Sequence, residues 1–344
     1  MPLGDSSPSR DHFAMYEQAA LHLSLSRWEQ EDPAVWQGLA RNKLIELMGM
    51  PARRPAACLE ASGRERLPNG LEREACYLRV EPARRLVASL VWDPARRPSP
   101  APVMLCLQGH TSGAHLSWGE ARETIDPYRL ARGGDFAVQA AARGFVAVCL
   151  EQSGFGERAE QAVRHRWDHP CIDQVNRALL LGRTLLGERV MDVRVLLDWL
   201  QGDASRLDLD GQRIHAMGNS GGGETALYAT ALDERLAGVI AGSCVGAFRT
   251  TSGRRKTCPD TVIPGILDWL EFSDILALCA PRPVVTVSGL HDPLYPHAAT
   301  AQAVAAAQPL YGRLGRPEAI RALSGPAGHR FYPDVAWPVF LEML

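Results

Sequence analysis

Gly218-Asn219-Ser220-Gly221-Gly222 follows the apolar run Ile214-His215-Ala216-Met217 and precedes small and helix-forming residues from Glu224 to Leu232. Strand, sharp turn, helix is the context that gives a G-x-S-x-G pattern chemical meaning. A turn this tight strains the serine backbone, and Gly218 and Gly222 leave room where a Cβ would collide with the neighbouring chain. The Ser220 hydroxyl is then held clear of the sheet at a helix N-terminus, whose free N–H groups favour negative charge. Ser220 is the candidate nucleophile.

Outward from this turn, apolar runs alternate with helical patterns. Val103–Leu107, Phe145–Leu150, Ile214–Met217, Gly238–Ser243, Pro283–Ser288 and Ile320–Leu323 read as strands. Wholly apolar runs such as Val103–Leu107 fit strands buried on both faces. Helical patterns fall at Ala137–Ala142, across 173–201, at Ala298–Ala307 and at Val335–Leu344. The alternation implies an α/β fold, a mostly parallel, doubly wound sheet flanked by helices. Cys76–Val80 and Leu86–Trp92 read as a strand pair joined at Glu81-Pro82-Ala83. Residues 11 to about 50 read as helical, and the Arg- and Pro-rich stretch Arg53–Pro68 as a surface connection. The expected organisation is an N-terminal helical extension and linker over 1–70, then a catalytic domain over 71–344 with a lid segment at 152–182.

Ligands bind beyond the carboxyl ends of the strands in such sheets. A serine needs a base to take its proton and an acid to hold that base. Two strand-end loops supply them: Ser288-Gly289-Leu290-His291-Asp292-Pro293 offers Asp292, and Ser324-Gly325-Pro326-Ala327-Gly328-His329 offers His329. The chain order Ser220, Asp292, His329 is the order this architecture uses. His291 precedes the acid and suits the base role less well. His215 is expected beneath the sheet. Glu151, at the end of its own strand, is an alternative acid whose plainer role is to anchor the following loop. An oxyanion needs two aimed donors. The N–H of Gly221 is one candidate. The N–H of His110, in Gln108-Gly109-His110-Thr111-Ser112-Gly113, is the other, with Thr111 as the alternate.

Together with the elbow and the oxyanion loop, Gly154-Phe155-Gly156-Glu157-Arg158, Ala231-Leu232-Asp233-Glu234-Arg235, Ile263-Pro264-Gly265-Ile266, Ala280-Pro281-Arg282-Pro283 and Gly328-His329 carry a resemblance. From about residue 75 onward the chain resembles an α/β-hydrolase of the bacterial branch similar to acetyl xylan esterases and dienelactone hydrolases. The resemblance assigns nucleophile, acid and base to Ser220, Asp292 and His329, in agreement with the reading above. It implies a serine esterase acting on carboxylic esters, expected to be short-acyl, acetyl-type ones, with no cofactor. Gln108 departs from the His usual before the oxyanion glycine, and Glu151 from the more usual Asp. Amide, lactone or C–C bond hydrolysis with the same triad is the enzymatic alternative, because one fold hosts all of these. A non-catalytic binding protein is the alternative of a different class, and the intact triad argues against it.

Other signals are weaker. His165 and His169, four residues apart, have helical metal-ligand spacing, but no third ligand is evident and no metal is expected. Trp118 and Trp167 are candidate pocket walls. Arg254-Arg255-Lys256 reads as a solvated loop. The N-terminal helices are candidates for capping the site or for homodimerisation.

Composition sets the outer limits. With 46% hydrophobic and 22% charged residues, the 344-residue chain is ordinary globular material. A net charge of −2 argues against a general nucleic-acid binder. No apolar run reaches the roughly 20 residues of a membrane span, and Met1–Pro8 lacks a secretory signal's charged start and apolar stretch. The partner expected is a small-molecule ester. None of the eight cysteines forms a C-x-x-C pair. Cys106 and Cys149 lie in strand-like runs, which suggests buried reduced thiols and the cytoplasm. Cys258, in a Thr-Cys-Pro loop, reads as a small packing residue.

Overall fold

The computed structural model describes residues 7–80, 84–160, 171–252 and 258–344. Trp167, the His165/His169 pair and Arg254-Arg255-Lys256 lie outside the described residues. The strands are β1 (Ala57–Arg66), β2 (Glu72–Val80), β3 (Arg84–Trp92), β4 (Ala101–Leu107), β5 (Val146–Leu150), β6 (Leu209–Asn219), β7 (Leu236–Gly242), β8 (Val284–Gly289) and β9 (Ile320–Gly325). They form a nine-stranded sheet in the order β1-β2-β3-β5-β4-β6-β7-β8-β9. Pairing is antiparallel from β1 to β5 and parallel from β5 through β4 to β9.

Every residue of β4, β5 and β8 is buried, as parallel strands covered on both faces require, and Thr286 and Ser288 are the polar members of β8. Alternate side chains enter two cores. Val103, Leu105 and Leu107 of β4 join the core under helices Pro33–Leu47, Leu185–Gly202, Gly221–Leu232 and His297–Arg313. Met104 and Cys106 join the opposite core, under Phe136–Ala141 and Pro333–Glu342. The sheet is therefore covered by helices on both faces, and the loops at the strand ends are left to build a site.

Three expectations need correction. The stretch Arg53–Pro68 is not a plain surface connection, because Ala57–Arg66 is the edge strand β1. Its residues are nearly all exposed and include the charged Glu60, Arg64, Glu65 and Arg66, so no apolar alternation marks it in the sequence. The helical region across 173–201 is two helices, Ile172–Leu180 and Leu185–Gly202. They are separated at Gly182, whose φ of +68° suits glycine. The N-terminal helical region is likewise interrupted: helix Pro8–Glu17 is followed by a short 3-10 turn and then by Pro33–Leu47, whose start Asp32 caps through its carboxylate. Among the described residues, no helix is long and apolar enough to cross a membrane.

Candidate active site

β6 ends at Asn219, helix Gly221–Leu232 begins two residues later, and Ser220 sits between them at φ 55°, ψ −131°. This is a sparsely populated region that a non-glycine residue occupies only when its surroundings hold it there. The surroundings do so. Ser220 N–H donates to Gly242 O on β7 (2.8 Å). A Cβ on Gly222 would lie 2.1 Å from Leu107 O, and one on Gly218 2.4 Å from Gly222 O. The two glycines thus let the elbow nest against the end of β4, as the sequence suggests.

Asp292 lies just past β8 and is 4% exposed. Its Oδ1 accepts the N–H groups of Leu294 (2.8 Å) and Tyr295 (3.0 Å), and its Oδ2 accepts from His329 Nδ1 (2.9 Å). Burial pushes the carboxyl up, but the His329 contact and the two backbone donors outweigh it and hold Asp292 below the ordinary range. Tyr295 stacks on the His329 ring (6.1 Å, 26°) and donates its hydroxyl to Glu224 Oε1 (2.5 Å) on the elbow helix. Arg132 donates to His329 O (2.7 Å). The imidazole is thus fixed on its edge, its face and its backbone.

Ser220, Gly221, His110 and His329 line one cleft of about 680 Å³, the size of a small-molecule site. Ser220 Oγ and His329 are not hydrogen-bonded to each other. Such contacts are often long in the resting enzyme and tighten in the substrate complex. Gly109 packs so closely on the elbow that a Cβ there would lie 2.5 Å from Asn219 O. Thr111, the alternate oxyanion donor, gives its N–H to Gly109 O (2.7 Å), whereas the His110 N–H has no acceptor among the described residues. Gln108, the departure from the usual His, ties this loop down. It donates to Ser117 Oγ (2.9 Å) and Gly134 O (2.7 Å), and its carbonyl accepts from Gln152 Nε2.

The competitors lie elsewhere. His215 is buried between the Phe145 and Phe340 rings, and burial pushes it down to about 4. His291 is exposed. Glu151 is an anchor: its Oε1 accepts Ala114 N–H (2.9 Å), and a Cβ on Gly156 would strike its carboxylate at 2.1 Å. Its burial pushes it up to about 7. Trp118 does not line the cleft that holds Ser220. It is 5% exposed in the core under Phe136–Ala141, donates to Glu120 Oε2 (2.9 Å), and lies against Arg73 (4.4 Å). Of the expected lid, Ile172 lines the cleft.

Two groupings had no signal in the spacing of residues. One is the Tyr295–Glu224 contact. The other is a buried pair, Arg189 with Asp260 (2.5 Å), in which the same Asp260 oxygen lies 3.1 Å from His110 Nε2. The arginine and histidine more than offset the desolvation of Asp260 and hold its carboxyl far below the usual range.

Known proteins show the same architecture. A structure described as a "putative acetyl xylan esterase" from Bacteroides fragilis superposes with a TM-score of 0.73 at 18% identity, covering 95% of this chain and 83% of that one. A glucuronoyl esterase from Solibacter usitatus gives 0.64 at 17% identity, covering 94% and 96%. At these identities the likeness is one of fold. In sequence, "Putative hydrolase YtaP" of Bacillus subtilis is 25% identical over 294 residues, 84% of this chain and 92% of that protein. Residues 15–308, most of the sequence, match the Abhydrolase family, and the chain belongs to it.

Proposed function

We propose that the protein is a serine esterase that cleaves carboxylic esters, most readily those with a short acyl group. The observation that carries this reading is the Asp292–His329 contact at 2.9 Å, with His329 lining the same cleft as a serine in a strained strand-to-helix turn. In the proposed reaction His329 takes the Ser220 proton as Ser220 Oγ attacks the ester carbonyl. Asp292 holds Nδ1–H, so that Nε2 is free to accept, and stabilises the imidazolium that forms. The N–H groups of Gly221 and His110 receive the oxyanion, each worth about 3 kcal/mol in transition-state stabilisation. His329 then protonates the leaving alcohol, the acyl group remains on Ser220, and a water activated by the same imidazole releases the acid. Esterases of the same fold, though distant in sequence, support the choice of an ester over an amide or a C–C bond.

A fluorophosphonate probe tests the nucleophile. It is expected to label the protein, with the label on the peptide containing Ser220, and equal labelling of Ser220→Ala would remove the assignment. p-Nitrophenyl esters of rising chain length test the acyl group. Turnover of acetate but not octanoate is expected, and the reverse result would refute the short-acyl reading.

A further inference from the structure

Beside the reaction centre, four ligand-type side chains converge. His110 comes from the loop after β4, Cys171 caps helix Ile172–Leu180, and Cys258 and Asp260 come from the turn Pro259–Thr261. One donor atom from each lies within 4.8 Å of all the others. The two Sγ atoms are 3.0 Å apart, His110 Nε2 is 3.8 Å from Cys171 Sγ, and it is 3.1 Å from Asp260 Oδ2. Three separate segments thus turn their soft and borderline donors toward one point in a largely buried place.

We propose that His110, Cys171, Cys258 and Asp260 form a tetrahedral site for one zinc-class divalent cation, which clamps the oxyanion loop to the two segments beside it.

The donor chemistry supports this. Two thiolates, an imidazole and a carboxylate are a zinc-type set. Ordinary bond lengths of about 2.0–2.3 Å would space tetrahedral donors roughly 3.3–3.8 Å apart. The His110–Cys171 distance already fits, and the two sulfurs need to part by less than about 1 Å. Their present separation is too close for two neutral thiols in ordinary contact, yet far beyond the about 2.05 Å of a disulfide.

Asp260 has a spare position. Its Oδ1 is buried without a hydrogen-bond partner, while Oδ2 is held by Arg189 and lies against His110 Nε2. Arg189, itself buried, is fixed by the carbonyl of Ser153 (2.9 and 3.0 Å). An outer partner of this kind orients a ligating carboxylate. Charge also balances: a dication and one guanidinium match two thiolates and one carboxylate. Binding would release the two thiol protons to solvent and also requires His110 Nε2 to give up the proton it holds toward Asp260. With four protein ligands the site is closed, so its role is to hold structure. Metal binding is independent of the esterase reading; only an effect on turnover would rest on it.

Metal analysis of the untagged full-length chain tests the site directly. The chain is reduced, loaded with zinc(II) and dialysed; about one zinc per chain is expected, falling to near zero in C171S/C258S and remaining near one in C58S, whose cysteine is exposed and not a member of the cluster. Cobalt(II) added to the metal-free wild-type chain should give thiolate charge-transfer bands and the intense visible bands of a tetrahedral centre. That reading needs no variant to fold, and D260N should weaken cobalt affinity at least tenfold. No uptake of zinc or cobalt by the reduced chain would overturn the proposal. So would unchanged zinc content in C171S/C258S, or recovery of a Cys171–Cys258 disulfide peptide in place of the metal-bound thiols.

Discussion

Asp292→Asn is the sharpest test of how the imidazole is held. The aspartate offers two oxygens to three donors, with the backbone N–H groups of Leu294 and Tyr295 on Oδ1 and His329 Nδ1 on Oδ2. An asparagine has one acceptor oxygen. Turned toward the two backbone donors it keeps two hydrogen bonds, and turned toward His329 it keeps one while setting its NH2 against two N–H groups. The first orientation wins, so the amide NH2 faces Nδ1. His329 must then accept at Nδ1 and carry its proton on Nε2, the wrong tautomer to take a proton from Ser220. The fold should survive, because the backbone contacts do. Loss of the correct tautomer and of the charge that stabilises the imidazolium is expected to lower kcat by about 10³- to 10⁴-fold, or roughly 4–5.5 kcal/mol. Steady-state hydrolysis of p-nitrophenyl acetate measures this, and the rate of fluorophosphonate labelling should fall in parallel, since both need an activated Ser220. A melting temperature within a few degrees of wild type would confirm an intact fold. A loss smaller than tenfold in a folded variant would refute the argument.

The elbow's tolerance for bulk can be tested with Gly222→Ala, which drives a Cβ to 2.1 Å from Leu107 O and 2.6 Å from Gln108 O, both backbone atoms that cannot swing aside. A loss of about 3 kcal/mol or more is expected in urea unfolding, whereas Gly38→Ala, in a helix with nothing within 4 Å, should be neutral or stabilising; comparable stabilities for the two variants would contradict the packing described. Glu224 supplies a pH signature. Burial first, and then the Asp260 charge, push it up to about 8 against the opposing Tyr295 hydrogen bond. With its folded value above the unfolded 4.5, the native state binds the extra proton, so this stability is complete below pH 4.5 and is lost as pH rises through 8. Between pH 6 and 8.5 the loss is on the order of 2–3 kcal/mol. Glu224→Gln keeps an acceptor for Tyr295 and should flatten the decline in thermal stability over that range; equal slopes for the two proteins would exclude Glu224 as its source.

The proposed reaction centre is more legible in the sequence than the shell that supports it. Ser220, Asp292 and His329 stand at strand ends with glycines beside them, and tight turns and close backbone approaches demand those glycines for local reasons. The buried strands are equally plain, because a strand covered on both faces reads as a nearly continuous apolar run. β1 escapes notice since an exposed edge strand has no face to bury and so no alternation to read. The break at Gly182 is hidden by apolar residues continuing on both sides. Trp118 follows the oxyanion loop closely in sequence, but the 3-10 turn Ala114–Trp118 carries it into the opposite core. Glu224 with Tyr295, and Asp260 with Arg189, join residues 71 positions apart in each case. A buried carboxylate becomes visible only once the fold delivers its partner.

The edge strand β1 also bears on solubility. An unpaired strand edge is a template for another chain, and this one is ten residues long. Its composition answers the hazard. Glu60, Glu65 and Arg64 are tied to Arg85, Arg73 and Glu72 on the neighbouring strands, so this edge is dressed in paired charges. The same polar dressing that makes the strand hard to recognise sets a charged border along one edge of the nine-stranded sheet, where an apolar edge would invite pairing.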